Sequence, residues 1–104
     1  MNRLSGPLQQ AIDTIDGAAM LAQVERWARI NSGTANLDGL ARMAQELSEA
    51  FSALPGEIAL EEPAPVTAVD ASGKETAVQN GKHFVLRVRP EAQRRVILTG
   101  HMDT

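Results

Sequence analysis

The stretch that decides the fold is residues 94–104, RRVILTGHMDT in one-letter code. Its run VILTG (96–100) is continuously apolar, as is typical of a β-strand that is covered on both faces. Such a strand needs helices on both sides of its sheet. The stretch therefore predicts an α/β fold, with His101 and Asp103 where this strand leaves the sheet.

Shorter strand-like runs precede this segment. They are EIAL (57–60), VTAV (66–69), ETAV (75–78) and HFVLRVR (83–89), with the turn-like DASGK (70–74) between the second and third. In HFVLRVR, Phe84, Leu86 and Val88 alternate with polar or smaller residues, which predicts one buried face and one partly wet face. We expect these runs to form strands of a mixed sheet.

Two amphipathic helices are predicted before the strands. The first follows a cap at Asp16 and stops at residues 31–33; the second follows a cap at Asn36 and ends at residues 55–56. A shorter helical turn after Pro7 precedes the first helix or runs into it. The helical stripes indicate core packing; they comprise Leu21, Val24 and Trp27/Ala28, then Leu40, Met43, Leu47, Phe51 and Leu54.

Two helices are too few to cover both sides of a sheet. We therefore interpret residues 1–104 as the N-terminal segment of a larger α/β domain, whose remainder is absent.

Composition excludes several classes of protein. The chain is 43% hydrophobic and 22% charged, with a formal net charge of -3, so it lacks the basic surface that nucleic acid requires. It has no cysteine, so any metal must be held by histidine and carboxylates. No apolar stretch reaches the length of a signal-peptide core or a membrane span. We expect a cytoplasmic protein that binds neither membrane nor nucleic acid.

The pair His101 and Asp103 carries the candidate chemistry. Residues two apart in a strand point to the same side, while Met102 turns the other way. A carboxylate at that spacing can accept a hydrogen bond from one imidazole nitrogen and leave the other nitrogen for a metal. The pattern H-x-D alone is short, is common by chance and is also compatible with a structural hydrogen bond at a strand end.

The segment VILTGHMDT (96–104) resembles the first metal-binding strand of the zinc aminoacylase, deacetylase and carboxypeptidase family. This family includes glutamate carboxypeptidase, acetylornithine deacetylase and succinyl-diaminopimelate desuccinylase. The resemblance extends from about Ala18 to Thr104. It includes INSGTANLDGL (30–40), whose NSGTANLDG is most similar to the glutamate-carboxypeptidase-like branch.

The resemblance implies that His101 is a zinc ligand and that Asp103 is the catalytic acidic residue that orients its imidazole. It also implies two Zn²⁺ ions, with Co²⁺ as an alternative metal, bridged by an Asp and a water, and a Glu-Glu pair that supplies the general base. The other ligands and this pair have no counterpart up to Thr104, so we expect them after it. The implied substrate is a small peptide or N-acyl amino acid, and a homodimer is implied only for the full-length protein. We expect the isolated chain to be inactive.

Other polar residues are weaker candidates. Glu61 and Glu62 precede the metal strand and are interpreted as a solvated strand end, and His83 as a strand-start histidine without an acidic partner. Ser32 and Thr34 lack a nucleophile-elbow context, so we expect their loop to cap helices rather than touch substrate.

The alternative function is a small, non-enzymatic α+β binding module in which the His–Asp pair is structural. The genomic reading frame separates the two hypotheses. Further His, Asp and Glu-Glu motifs after Thr104 would favour the enzyme.

Overall fold

The computed structural model describes residues 3–104 and contains three helices and four strands. The helices are α1 (Gly6–Asp13), α2 (Gly17–Ala28) and α3 (Leu37–Phe51). The strands are β1 (Glu57–Glu61), β2 (Val66–Val69), β3 (Glu75–Val78) and β4 (His83–Arg87). The predicted order, helices first and strands after them, is confirmed.

The two predicted helix caps are present. Asp16 accepts a hydrogen bond from the backbone N–H of Ala19 at 3.0 Å, and Asn36 accepts one from that of Gly39 at 3.0 Å. Each side chain thereby satisfies a donor that has no partner within its helix. The turn after Pro7 is a separate helix, because α1 ends at Asp13 and α2 starts only after Asp16.

The strands form two separate antiparallel pairs. Strand β1 pairs with β4 in the register Glu57↔Arg87 to Glu61↔His83. Strand β2 pairs with β3 through the predicted turn, where Gly73 has a φ of 84° that favours glycine. The mixed sheet that we expected is not seen within residues 3–104, since each described strand has one neighbour and runs antiparallel to it.

The core is small and lies mainly along α3. Its buried apolar residues are Ile30, Leu40, Met43 and Ala44. The rings of Phe51 and Phe84 lie with their centroids 5.7 Å apart, which joins the end of α3 to β4. The apolar face predicted for α3 is therefore buried in its first half.

The predicted strand over residues 94–100 is not formed. The side chains of Val96, Ile97 and Leu98 are 85–91% exposed, and no ladder hydrogen bonds define a strand there. A strand exists only when a neighbour satisfies its backbone groups, and none of the described strands lies alongside this segment. The expectation that both of its faces are covered is wrong for the described chain.

The α2 face is also largely open, with Leu21 and Val24 more than half exposed. The radius of gyration is 18.4 Å, against about 13 Å for a compact domain of this length.

None of the helices in residues 3–104 is long and apolar enough to cross a membrane.

Candidate functional site

The candidate site is the segment 101–104, which follows the exposed apolar run. The Nδ1 atom of His101 lies 3.0 Å from Oδ1 of Asp103, so the side chains two residues apart meet as predicted. The His101 side chain is 91% exposed and that of Asp103 is 34% exposed. The imidazole thus has one nitrogen against a carboxylate, and its Nε2 lies on the opposite edge of an open ring.

The second oxygen of the carboxylate is also occupied. The hydroxyl of Thr34 donates a hydrogen bond to Oδ2 of Asp103 at 2.8 Å. This bond is the main cause that lowers the pKa of Asp103, and the bond to His101 lowers that pKa further, whereas desolvation raises it. Asp103 is therefore held as an anion between two partners.

The loop between α2 and α3 binds the segment at a second point. The backbone N–H of Thr104 donates to the carbonyl oxygen of Ser32 at 3.1 Å, and the two hydroxyl oxygens lie 3.3 Å apart. Sequence reasoning expected this loop to cap helices, and Asn36 does so. It missed the contacts of Ser32 and Thr34, because their partners are 72 and 69 positions away and no local pattern indicates them.

Met102 is half-buried beside apolar side chains of α2 and α3. It lines an open groove of about 280 Å³ between α2 and α3 together with Trp27, Met43 and Leu47. The indole Nε1 of Trp27 is buried, and no hydrogen-bond partner for it lies within residues 3–104. The segment therefore lies against the apolar groove and is also hydrogen-bonded to the loop between α2 and α3.

The other polar candidates lie at the β1–β4 end of the molecule. Glu61 forms an ion pair with Arg87 at 2.8 Å, and Glu62 forms one with Lys82 at 3.2 Å. His83 is exposed at the start of β4 and stands opposite Glu61 in the strand register. Both glutamates are well exposed, in agreement with the prediction of a solvated strand end.

The donor set was compared with what zinc requires. Within the part of the chain that the structure describes, no group of three or more His, Asp or Glu side chains could hold a metal ion. His101, with its second nitrogen directed at Asp103, fits a single ligand position. These residues therefore fit one corner of a zinc site and not a complete one.

No match to this chain is found among protein-family models, curated proteins or solved structures.

Proposed function

We propose that this chain is the N-terminal segment of the catalytic domain of a two-zinc hydrolase. The enzyme would cleave the amide bond of a small peptide or an N-acyl amino acid. His101 would be a zinc ligand and Asp103 the carboxylate that orients it. The observation that carries the proposal is the 3.0 Å contact between His101 Nδ1 and Asp103 Oδ1, beside a ring that is otherwise open.

The geometry suits a ligand imidazole. In the neutral tautomer whose Nδ1–H donates a hydrogen bond to the Asp103 carboxylate, Nε2 carries no proton and presents a lone pair to solvent. The negative charge on Asp103 also makes the imidazole a stronger donor to a metal. Zinc bound there would supply a water with lowered pKa and would stabilise the oxyanion formed during amide hydrolysis.

Exposed apolar surface supports the proposal that further chain completes the domain. Three consecutive residues, Val96 to Leu98, are almost fully exposed, and Leu21 and Val24 on the apolar face of α2 are more than half exposed. Large exposed apolar patches in soluble proteins mark surfaces that contact another protein surface, a ligand or a membrane, and further chain of the same domain would be such a contact. Strands and helices that supply the missing cover would also supply the missing metal ligands.

One observation favours the second candidate, a binding module with a structural His–Asp pair. Asp103 accepts from Thr34, and Thr104 bonds to Ser32, so the segment already has a structural role in docking onto the loop. A carboxylate that only fastened the segment would need no metal. The two candidates therefore differ in whether His101 binds zinc.

The test uses the complete protein. Zinc per chain is measured together with the hydrolysis of dipeptides and N-acyl amino acids, before and after chelation and after Zn²⁺ or Co²⁺ is restored. His101→Ala should lower zinc content and hydrolysis together. His83→Ala is the matched control, since His83 lies at the start of β4 away from the segment. Full zinc content and full activity in His101→Ala would refute the proposal.

The 104-residue chain alone should bind zinc weakly. One imidazole leaves most of the coordination sphere to water, whereas tight zinc sites generally have at least three protein ligands. A calorimetric titration should show no tight equimolar binding. Tight binding that disappeared in His101→Ala would mean that this chain holds a more complete site than we propose.

A further inference from the structure

We infer that Thr34 is a positioning residue for the His101–Asp103 pair. Its hydroxyl binds Oδ2 of Asp103 and so directs Oδ1 towards the imidazole. The expected effect of Thr34 on kcat rests on the proposed function. Its expected effect on which nitrogen of the His101 imidazole carries the proton does not.

The loop that carries Thr34 is held by its own hydrogen bonds. The Asn36 side chain donates a hydrogen bond to the carbonyl oxygen of Asn31 at 2.9 Å. The backbone N–H of Asn36 donates to the carbonyl oxygen of Gly33 at 2.8 Å. The N–H of Gly33 donates in turn to the Asn31 side chain at 3.2 Å. These bonds close the loop on both sides of Thr34, so its hydroxyl is presented from a defined backbone.

The carboxylate needs such a partner. The terminal torsion of an aspartate is broad and roughly two-fold, so a single hydrogen bond to His101 leaves the group free to turn. Binding of Oδ2 by Thr34 at 2.8 Å and of Oδ1 by His101 at 3.0 Å fixes that torsion from both ends. His101 is 91% exposed, so packing contributes little to the orientation of its ring.

Three variants isolate this hydrogen bond. Thr34→Val keeps the shape of the side chain and removes the donor, and Thr34→Ser keeps the donor. Thr76→Val is the matched control, because it removes an exposed threonine hydroxyl in β3 that bonds Ala68 far from the segment. Far-UV circular dichroism shows that each variant is folded before it is compared.

The readout is the protonation pattern of the imidazole. The ¹⁵N shifts of His101 are recorded in the complete, metal-stripped protein at a pH where the ring is neutral, and His101→Asn assigns them. Wild-type protein should show protonated Nδ1 and bare Nε2. Thr34→Val should move both shifts towards those of free histidine, while Thr34→Ser and Thr76→Val should stay near wild type. Wild-type shifts in Thr34→Val, or equal changes in Thr34→Ser, would overturn the inference.

The same variants report on catalysis once hydrolysis is established. Thr34→Val should lower kcat about tenfold with little change in KM, as expected for a change beyond the metal ligands. A shift in the imidazole nitrogens without any zinc binding or hydrolysis would leave the role of Thr34 intact and refute the proposed function. An unchanged kcat in Thr34→Val, despite shifted nitrogens, would overturn the catalytic part of the inference.

Discussion

The backbone N–H of Thr104 donates a hydrogen bond to the carbonyl oxygen of Ser32 at 3.1 Å. Ser32 is only 2% exposed, so this bond lies at the inner edge of the loop between α2 and α3. With the Thr34–Asp103 bond it forms a two-point attachment of segment 101–104. The candidate site is therefore held by the loop, while the apolar run before it is left open.

The roles of His101 and Asp103 can be separated in the complete protein. His101→Ala removes the proposed ligand, so zinc content and kcat should fall together. Asp103→Asn keeps the shape but replaces an anionic acceptor with a neutral amide, so turnover should fall by about ten- to a hundredfold while zinc is largely retained. The measurements are zinc per chain and kcat for both variants. Wild-type turnover of Asp103→Asn at full zinc loading would mean that Asp103 does not orient the ligand and that the His101–Asp103 contact is structural.

Gly39 should tolerate no side chain. A Cβ at this position would overlap the carbonyl oxygen of Asn31 and lie 2.9 Å from its carbonyl carbon, so the loop would have to move. We expect Gly39→Ala to lower the free energy of unfolding by about 1–3 kcal/mol.

Gly17→Ala is the matched control for Gly39→Ala, because a Cβ there meets nothing within 4 Å at the start of α2. It should be neutral or stabilising by about 0.4–1 kcal/mol. Denaturant unfolding compares the two variants. Equal stabilities would contradict the close approach of Gly39 to Asn31.

The turn between β2 and β3 should show a pH dependence set by Asp70. The Ser72 hydroxyl, and then the backbone N–H groups of Lys74 and Ser72, hold the pKa of this carboxyl below its ordinary value of 3.8. Because the folded pKa is depressed, the stabilising effect is present above 3.8 and is lost as the pH falls through the folded pKa. The effect should be small, since this turn is exposed.

Ser72→Ala tests that assignment because it removes the largest cause of the shift. The pKa of Asp70, followed by the ¹³C signal of its carboxyl group, should rise towards the ordinary value. Thr67→Ala, a change of similar size in β2, should leave it in place. An identical titration midpoint in Ser72→Ala would show that the hydroxyl does not bind the carboxylate in solution.

The exposed run of Val96, Ile97 and Leu98 should make the 104-residue chain associate. Backbone N–H and C=O groups without ladder partners, and exposed apolar side chains, both favour contact with other chains. Ile97→Lys should shift sedimentation velocity profiles towards monomer, and Val69→Lys in the separate hairpin should do so less. A monodisperse wild-type monomer with a sharp cooperative melt would argue for the self-contained module.

The sequence by itself determined the local structure. The caps at Asp16 and Asn36 and the turn at residues 70–74 depend on residues within four positions of each other. Interactions of this range have characteristic spacings, so they can be read from a pattern. The contact of His101 with Asp103 belongs to the same class, because the two residues are only two positions apart.

Only the tertiary structure decided which distant segments of the chain lie against each other. The pairing of β1 with β4, the hydrogen bond of Thr34 to Asp103 and the exposure of Val96–Leu98 have no local signature. The apolar character of that run indicates that it can be buried, but burial requires neighbouring elements that close the backbone hydrogen bonds on either side. Which element lies beside a segment is set by contacts between residues far apart along the chain, and periodicity carries no information about them.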